Sequence, residues 1–387
     1  CYIINNLHHY YKYYLRKLRA SELEMAAILK RIFDPFTVVT GAKSFQNNSF
    51  IGNAWLNRQG LHKTRFILAH KLAEQRLAIL KSRLLNDNAT PRTKAAIAKF
   101  EAEGCCVIEN FLSAASFKTL RNALDYCKVH IWQCIQGDTY TRRLPLTAEL
   151  VKRNPVLSEI TDHPELRRLF RICGSGNRIP LMFFESIHNG VKPSRGSSET
   201  NINSDPQKNL HSDTFQPTVK GWLYLEDVHI ENGPFHFVKG SHKATEKRAQ
   251  WEYEMSLKAS GNDDSYTQKG SFRISREELA ALDLPEPTTF TVPANTLVMA
   301  DTGGFHSRGQ AKSGTMRRSF YFSDRGTPFL PFPMHFIPRF GEIKAAINLK
   351  MLEAEWKTKS RKGRKASWVP VDFSEWHGED LGNFQGR

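Results

Sequence analysis

The chain is poor in the features that mark several common protein classes. It has six cysteines in 387 residues, two of them adjacent as Cys105-Cys106 and none in a Cys-x-x-Cys pair. This usage argues against a disulfide framework or a zinc site and indicates a reducing compartment such as the cytoplasm. No run approaches the roughly 18 to 20 apolar residues that a membrane span requires, and no signal peptide is visible. We therefore expect a cytoplasmic protein without a membrane span.

Acidic residues are fewer than basic residues. The chain has 39 Asp and Glu residues against 55 Lys and Arg residues, which gives a formal net charge of +16. Such a surplus favours anionic partners, such as nucleic acid, acidic lipid surfaces, or substrates with carboxylate or phosphate groups. An ordinary solvated surface explains the same charge equally simply. Basic segments near both ends, at residues 10–19 and 357–365, are the places where an anionic partner would bind.

Patterning divides the chain into three parts, and its 40% content of hydrophobic residues supports a sizeable core. Residues 1–94 predict a basic, mainly helical N-terminal extension, with its strongest helix at residues 65–85. Residues 95–340 alternate between helical segments and β-rich runs and form the main domain. Residues 341–387 predict a basic C-terminal helix and tail.

Local signals predict how the main domain begins. The Thr-Pro pair at 90–91 predicts a helix start, and Gly104 predicts the end of that helix. Residues 105–108 predict a strand at the flank of a sheet. A further helix is predicted from Ser113 to about Cys134.

The stretch with the clearest chemical potential is Leu210-His-Ser-Asp-Thr-Phe215. Residues at i and i+2 of an extended segment point to the same side, so His211 and Asp213 can offer a nitrogen and an oxygen to one metal ion. His306, which follows a predicted strand at residues 296–300, is the candidate for a third ligand. Two histidines and one carboxylate are the set that leaves open positions on non-haem Fe(II).

The His-x-acid spacing alone is weak evidence. His163, His229 and His377 each have a glutamate two residues later. What distinguishes His211 is its context: a β-rich run at residues 219–228, an Asn-Gly-Pro turn at 232–234, a short strand, and Gly-Ser-His at 240–242.

These motifs together resemble the phytanoyl-CoA dioxygenase family of Fe(II)- and 2-oxoglutarate-dependent oxygenases, over residues 95 to about 333. In that family an arginine follows the distal histidine by eleven positions, and this spacing selects Arg317 over Arg318. The resemblance implies an α+β fold, with a double-stranded β-helix core of the jelly-roll, cupin-like type flanked by helices. It also implies Fe(II) as cofactor, 2-oxoglutarate as cosubstrate and dioxygen as oxidant.

The resemblance further implies the roles of individual residues. His211, Asp213 and His306 would bind iron and form the catalytic centre, and Arg317 would pair with the far carboxylate of 2-oxoglutarate. Trp222 resembles a family aromatic close to the cosubstrate, although a core tryptophan fits the pattern equally well. The expected function is hydroxylation of a small molecule, with release of succinate and CO2. Halogenating relatives lack a carboxylate at the position of Asp213, so its presence favours hydroxylation or another oxidation over halogenation.

The sequence departs from the family pattern at one position, and three other interpretations of the site are open. The family usually has a small polar residue two positions after the distal histidine, where this chain has Arg308. The set around His211 could belong to a cupin-like shell that no longer binds iron. It could also hold zinc for hydrolysis, although such a site has no use for Arg317. In the third alternative, the domain is a non-catalytic scaffold whose basic termini bind a polyanion, such as nucleic acid or an anionic surface.

Overall fold

The structure, a computed structural model, describes residues 61–84, 89–123, 131–174, 179–190, 205–326, 328–329 and 340–371. The basic segment at residues 10–19 lies outside these ranges. Among the described helices, none is long and apolar enough to cross a membrane. The cysteines in the described ranges are free thiols: Cys105, Cys106, Cys134 and Cys173.

The described residues begin with three α-helices: α1 (Leu61–Leu84), α2 (Pro91–Glu103) and α3 (Ala114–Ala123). The side chain of Thr90 accepts a hydrogen bond from the Thr93 backbone N–H at the start of α2. Gly104 ends α2 in a left-handed conformation with φ 82°. Both predicted boundaries of α2 are therefore confirmed, and α1 confirms the helix predicted at residues 65–85.

The predicted helix from Ser113 to about Cys134 is confirmed at Ala114–Ala123 and is wrong from Ile131 onward. Residue Cys134 lies in a hairpin of strands β2 (Ile131–Gln136) and β3 (Thr139–Pro145). The two-residue turn between these strands begins with Gly137 at φ 58°, which glycine adopts without a steric penalty. The Gly-Asp pair followed by Thr-Tyr-Thr is a sequence signal for this hairpin. Pairing between the two strands outweighed the helical pattern of residues 131–134.

In the described residues, the remaining strands form two antiparallel sheets together with β2 and β3. Their bounds are β1 (Cys105–Ile108), β4 (Leu181–Asn189), β5 (Val219–Tyr224), β6 (Phe235–Phe237), β7 (Thr288–Phe290), β8 (Leu297–Asp301), β9 (His306–Arg308), β10 (Met316–Asp324) and β11 (Val369–Val371). The large sheet has the order β1-β8-β5-β10-β4-β3-β2-β11, and the small sheet has the order β7-β6-β9. Strand β1 is thus at the flank of the large sheet, as predicted.

Among the described residues, six further α-helices lie between or after the strands: α4 (Ala148–Arg153), α5 (Ser158–Thr161), α6 (Pro164–Cys173), α7 (Glu246–Lys258), α8 (Arg276–Ala281) and α9 (Phe340–Arg361). One face of the large sheet packs against helices α2 to α6. Phe320 and Phe322 of β10 meet Phe170 of α6 in this core. Phe170 comes close to the sheet at Gly221, where a Cβ would lie 3.0 Å from its ring.

The opposite face of the large sheet packs against the small sheet. Trp222 and Tyr321 from the large sheet share a buried cluster with Phe235, Phe237 and Phe290 from the small sheet. Alternating side chains of each strand therefore enter two separate cores. Two antiparallel sheets that face each other, with helices outside, confirm the predicted α+β class and double-stranded β-helix core.

Candidate metal centre

Backbone pairing brings the two distant metal motifs together. His211 and His306 exchange two backbone hydrogen bonds of 2.9 Å, and the Asp213 N–H donates to the Thr302 carbonyl at 2.9 Å. The potential ligand atoms of His211, Asp213 and His306 all lie within 4.8 Å of one another. The predicted triad is thus one cluster in three dimensions, although its three members come from two chain segments.

The turn that carries His306 is shaped by Asp301 and two glycines. Asp301 Oδ1 accepts hydrogen bonds of 2.9 Å from the backbone N–H groups of Thr218 and Gly303. A Cβ on Gly303 would lie 2.8 Å from the Gln216 carbonyl oxygen. The close approach of these segments therefore requires a residue without a side chain at position 303.

Each histidine is held by its Nδ1 atom. His211 Nδ1 lies 2.7 Å from the Asn209 carbonyl oxygen, and His306 Nδ1 lies 3.0 Å from the Gly304 carbonyl oxygen. A carbonyl can only accept, so both Nδ1 atoms carry the proton, and each Nε2 keeps a free lone pair. His211 Nε2 is buried without a hydrogen-bond partner. This arrangement matches that of metal-binding imidazoles.

Electrostatics keep the three groups in the charge states that a metal requires. Burial, followed by the charges of His306 and Arg273, holds the pKa of His211 well below its usual range. Burial lowers the pKa of His306 to about 4. Burial alone would raise the pKa of Asp213, but Lys220 and then Arg325 outweigh it and hold that pKa well below its usual range. At neutral pH the set is therefore two neutral imidazoles and one carboxylate.

Lys220 orients the carboxylate of Asp213. Its Nζ atom lies 2.5 Å from Asp213 Oδ2, whereas Asp213 Oδ1 lies 3.8 Å from His306 Nε2. One oxygen is thus held by a cation while the other faces the histidines. The residue set fits a divalent ion such as Fe(II), with one carboxylate oxygen and two imidazole nitrogens as ligands.

Arg317 lies on the face of β10 that points between the two sheets. Its Nη1 atom donates to the Gly233 carbonyl, and its guanidinium lies 6.0 Å from the centre of the Tyr224 ring. Arg318 has a different partner, with its Nε donating to Glu226 at 2.6 Å. Strand alternation therefore separates the two neighbouring arginines, and Arg317 is the one in the interior. Its binding of 2-oxoglutarate stays a prediction.

The other predicted residues have identifiable surroundings. Trp222 lies in the core between the sheets, with its ring centre 4.6 Å from that of Phe235. Arg308 forms an ion pair of 2.5 Å with the buried carboxylate of Asp205. A cosubstrate contact by Trp222 remains a prediction.

The histidines with the same spacing have other surroundings. His163 Nδ1 accepts a hydrogen bond from the Leu166 backbone N–H and caps α6. His229 is exposed, and His377 lies outside the described residues. The basic run at 357–365 begins in the last turns of α9 and continues into exposed residues. Its binding to a polyanion stays a prediction.

Sequence reasoning missed two cations at the centre, Lys220 and Arg273. Lys220 lies two residues before Trp222 on β5, so strand periodicity offered a signal that it shares the interior face. Arg273 pairs with His211 across an isolated bridge. No local pattern reveals that pairing, because it depends on how a segment some 60 residues later returns to the metal motif.

The comparison with protein families agrees with this geometry. Residues 100–275 match the family model described as Phytanoyl-CoA dioxygenase (PhyH). This range contains His211 and Asp213 and ends before His306 and Arg317. No curated protein matches the chain.

The chain is also similar, at low sequence identity, to several solved structures. The epimerase SnoN from nogalamycin biosynthesis has 19% sequence identity, with 60% of this chain and 82% of that chain covered and a TM-score of 0.38. The carbocyclase SnoK from the same biosynthesis has 18% identity, coverage of 61% and 84%, and a TM-score of 0.36. HygX from Streptomyces hygroscopicus, with nickel, 2-oxoglutarate and hygromycin B bound, has 17% identity, coverage of 62% and 89%, and a TM-score of 0.36. At TM-scores this low, these likenesses carry no conclusion about chemistry.

Proposed function

We propose, from the relationship of residues 100–275 to the phytanoyl-CoA dioxygenase family, that the protein is an Fe(II)- and 2-oxoglutarate-dependent dioxygenase that hydroxylates a small molecule. The observation that carries the proposal is the convergence of ligand atoms from His211, Asp213 and His306 within 4.8 Å. The orphaned, buried Nε2 atom of His211 supports it, because such an atom is costly without a partner.

The residues of the centre have distinct roles in this proposal. His211, Asp213 and His306 hold Fe(II), and Lys220 keeps the carboxylate of Asp213 ionised and oriented. Fe(II) bound there supplies oxidative decarboxylation of 2-oxoglutarate, with dioxygen as oxidant and succinate and CO2 as products, coupled to substrate oxidation. Arg317 provides the fixed cation for the far carboxylate of 2-oxoglutarate.

The catalytic unit in this proposal is the domain at residues 95–340, which extends past the matched range to include His306 and Arg317. The flanking parts are the extension at residues 1–94 and the tail at residues 341–387. Helix α1 of the extension packs on α7, where His62 Nε2 lies 3.3 Å from Glu252 Oε1. We infer that α1 supports the catalytic domain. We further propose a reducing, cytoplasmic location, in which the free thiols of the described cysteines are stable.

Turnover of 2-oxoglutarate to succinate tests the proposal without knowledge of the substrate. We expect slow, Fe(II)-dependent succinate release by the wild type and a loss of about 10³-fold or more in His306→Ala, which lacks one of three ligands. His229→Ala is the matched control, because this exposed histidine also precedes a glutamate by two residues. Equal rates in wild type and His306→Ala would overturn the proposal.

Hydroxylation is tested separately from cosubstrate turnover. The enzyme is incubated with 2-oxoglutarate and a mixture of small metabolites under ¹⁸O₂, and products are followed by mass spectrometry. A product that has gained one labelled oxygen atom supports hydroxylation. A product of unchanged mass or one that has lost two hydrogens would instead assign the enzyme an epimerisation or cyclisation.

A further inference from the structure

Arg273 lies directly opposite the metal ligand His211. The backbone N–H of Ser212 donates to the Phe272 carbonyl, and that of Ile274 donates to the Leu210 carbonyl, both at 3.0 Å. These two bonds flank the bridge between His211 and Arg273, so the two residues form a non-hydrogen-bonded antiparallel pair. Side chains of such a pair point to the same face and come closest together. Arg273 therefore shares the face of the metal ligand.

The guanidinium of Arg273 is held on several sides. Its Nη1 atom donates to the carbonyl and hydroxyl oxygens of Ser271, both at 2.9 Å. Its Nε atom lies 3.5 Å from Asp264 Oδ2, and the group lies 5.1 Å from the centre of the Tyr266 ring. Asp264 is itself fixed, because its carboxylate accepts backbone hydrogen bonds from Tyr266 and Thr267. The position of the guanidinium is thus set before any ligand binds.

One nitrogen of this guanidinium is unused. Arg273 Nη2 is buried and has no hydrogen-bond partner. A buried charged donor without an acceptor is costly, so this nitrogen calls for an acceptor that a ligand or an ordered water can supply. The side chain as a whole is 17% exposed and forms part of the lining of a cavity.

A cationic cavity of about 600 Å³ adjoins this residue. It is lined by the residues that flank both histidine ligands, namely 209–210 and 307–308, and by Arg273. The charged side chains in the lining are four cations and one acid: Lys208, Arg273, Arg276, Arg308 and Glu278. Lys208 and Arg308 are paired with Asp138 and Asp205 behind the lining. Of these cations, Arg273 is the one with a buried, unpartnered nitrogen.

We propose that Arg273 binds an anionic group, a carboxylate or a phosphate, of the primary substrate and holds the substrate beside the metal face of His211. This proposal rests on the proposed oxygenase function. The far carboxylate of 2-oxoglutarate is assigned to Arg317, which comes from β10 of the large sheet, whereas Arg273 comes from the segment that pairs with the metal motif. The two arginines thus serve two different anions, and the substrate class is acidic small molecules.

The test uses the full-length protein loaded anaerobically with Fe(II) and 2-oxoglutarate at constant ionic strength. Inorganic phosphate and acetate are the probes, and circular dichroism of the visible charge-transfer band reports their binding. We expect saturable binding of at least one probe to the wild type, and binding weakened about tenfold or more in Arg273→Gln. Arg276→Gln is the matched control, because Arg276 lines the same cavity but is half exposed, and its affinity should stay within twofold of the wild type.

The outcomes of this titration decide whether Arg273 binds an anion of the substrate. Failure of both probes to bind the wild type, or equal binding by Arg273→Gln, overturns the proposal. An increase of about tenfold in the Kd of 2-oxoglutarate in Arg273→Gln, with probe binding unchanged, would assign Arg273 to the cosubstrate and also overturn it. Arg273→Lys, which keeps the charge but not the forked geometry, covers the case in which Arg273→Gln does not fold. A charge-transfer band that persists in the variants shows that the oxygenase assignment stands even if the Arg273 assignment fails.

Discussion

The two faces of the large sheet come from the same strands but differ in chemistry. On β10, Phe320 and Phe322 face the helices and are fully buried among apolar side chains. Arg317, Ser319 and Tyr321 alternate with them and face the small sheet. Because successive residues of a strand point to opposite sides, one strand can contribute to stability on one face and to ligand binding on the other. Mutations on the two faces should therefore have separable effects.

The largest expected effect on stability is on the helix-facing side. Phe320→Ala removes a fully buried ring whose centre lies 5.8 Å from that of Phe184, and we expect it to lower the free energy of unfolding by about 3 to 5 kcal/mol. Denaturant unfolding measures this loss. The neighbouring Ser319→Ala faces the other side and should cost about 1 kcal/mol or less. Equal losses in the two variants would contradict the division between faces.

The next effect belongs to the interior face. Arg317→Gln should weaken 2-oxoglutarate binding about 100-fold, which corresponds to about 2.7 kcal/mol, because it removes a charged, forked donor. Arg318→Gln is the control on the other face, where Arg318 pairs with Glu226. Equilibrium titration of each variant with 2-oxoglutarate measures the difference. If Arg318→Gln weakened binding as much as Arg317→Gln, the spacing argument for Arg317 would be wrong.

The smallest effect is a pH dependence from His188, which lies near the end of strand β4. Its side chain is 1% exposed, and burial, followed by Arg142 and Arg318, lowers its pKa to about 4. Since the unfolded chain has the higher pKa, it binds the proton more tightly. The contribution of neutral His188 to the free energy of unfolding is therefore complete above pH 6.5 and is lost as the pH falls toward 4.

At pH 5 this difference amounts to about 2 kcal/mol for one group. His188→Gln should lose correspondingly less stability than the wild type between pH 7 and pH 5, measured by denaturant unfolding at both values. His229→Gln, at an exposed site, is the control for the loss of an imidazole as such. Identical pH dependence in wild type and His188→Gln would show that His188 does not titrate in this way.

The sequence predicts the parts of this molecule that depend on local order. Residues such as Thr90 and Gly104 signal helix ends through their own backbone preferences, and the structure confirms both. The i, i+2 spacing of His211 and Asp213 predicts a shared face, and the structure brings both to His306. Strand β2 was mispredicted as helix because its stability comes from pairing with β3, which a single segment does not reveal.

The parts that the sequence leaves open depend on register between distant strands. Arg273 acquires its position beside His211 only when the segment around residue 273 pairs with the metal motif. Lys220 contacts Asp213 because strand β5, which follows the metal motif, places the Lys220 side chain beside that carboxylate. Both are cations in a chain with 55 Lys and Arg residues, so residue type alone could not distinguish them from surface charge.

The most direct test of the metal centre is an anaerobic titration of the metal-free protein with Fe(II) and 2-oxoglutarate, followed by visible absorption. We predict a metal-to-ligand charge-transfer band in the wild type and its loss in His211→Ala. In Arg317→Gln the band should form only at higher 2-oxoglutarate concentrations. Absence of the band from the wild type, together with no binding of any divalent metal, would contradict the assignment of His211, Asp213 and His306 as an iron site.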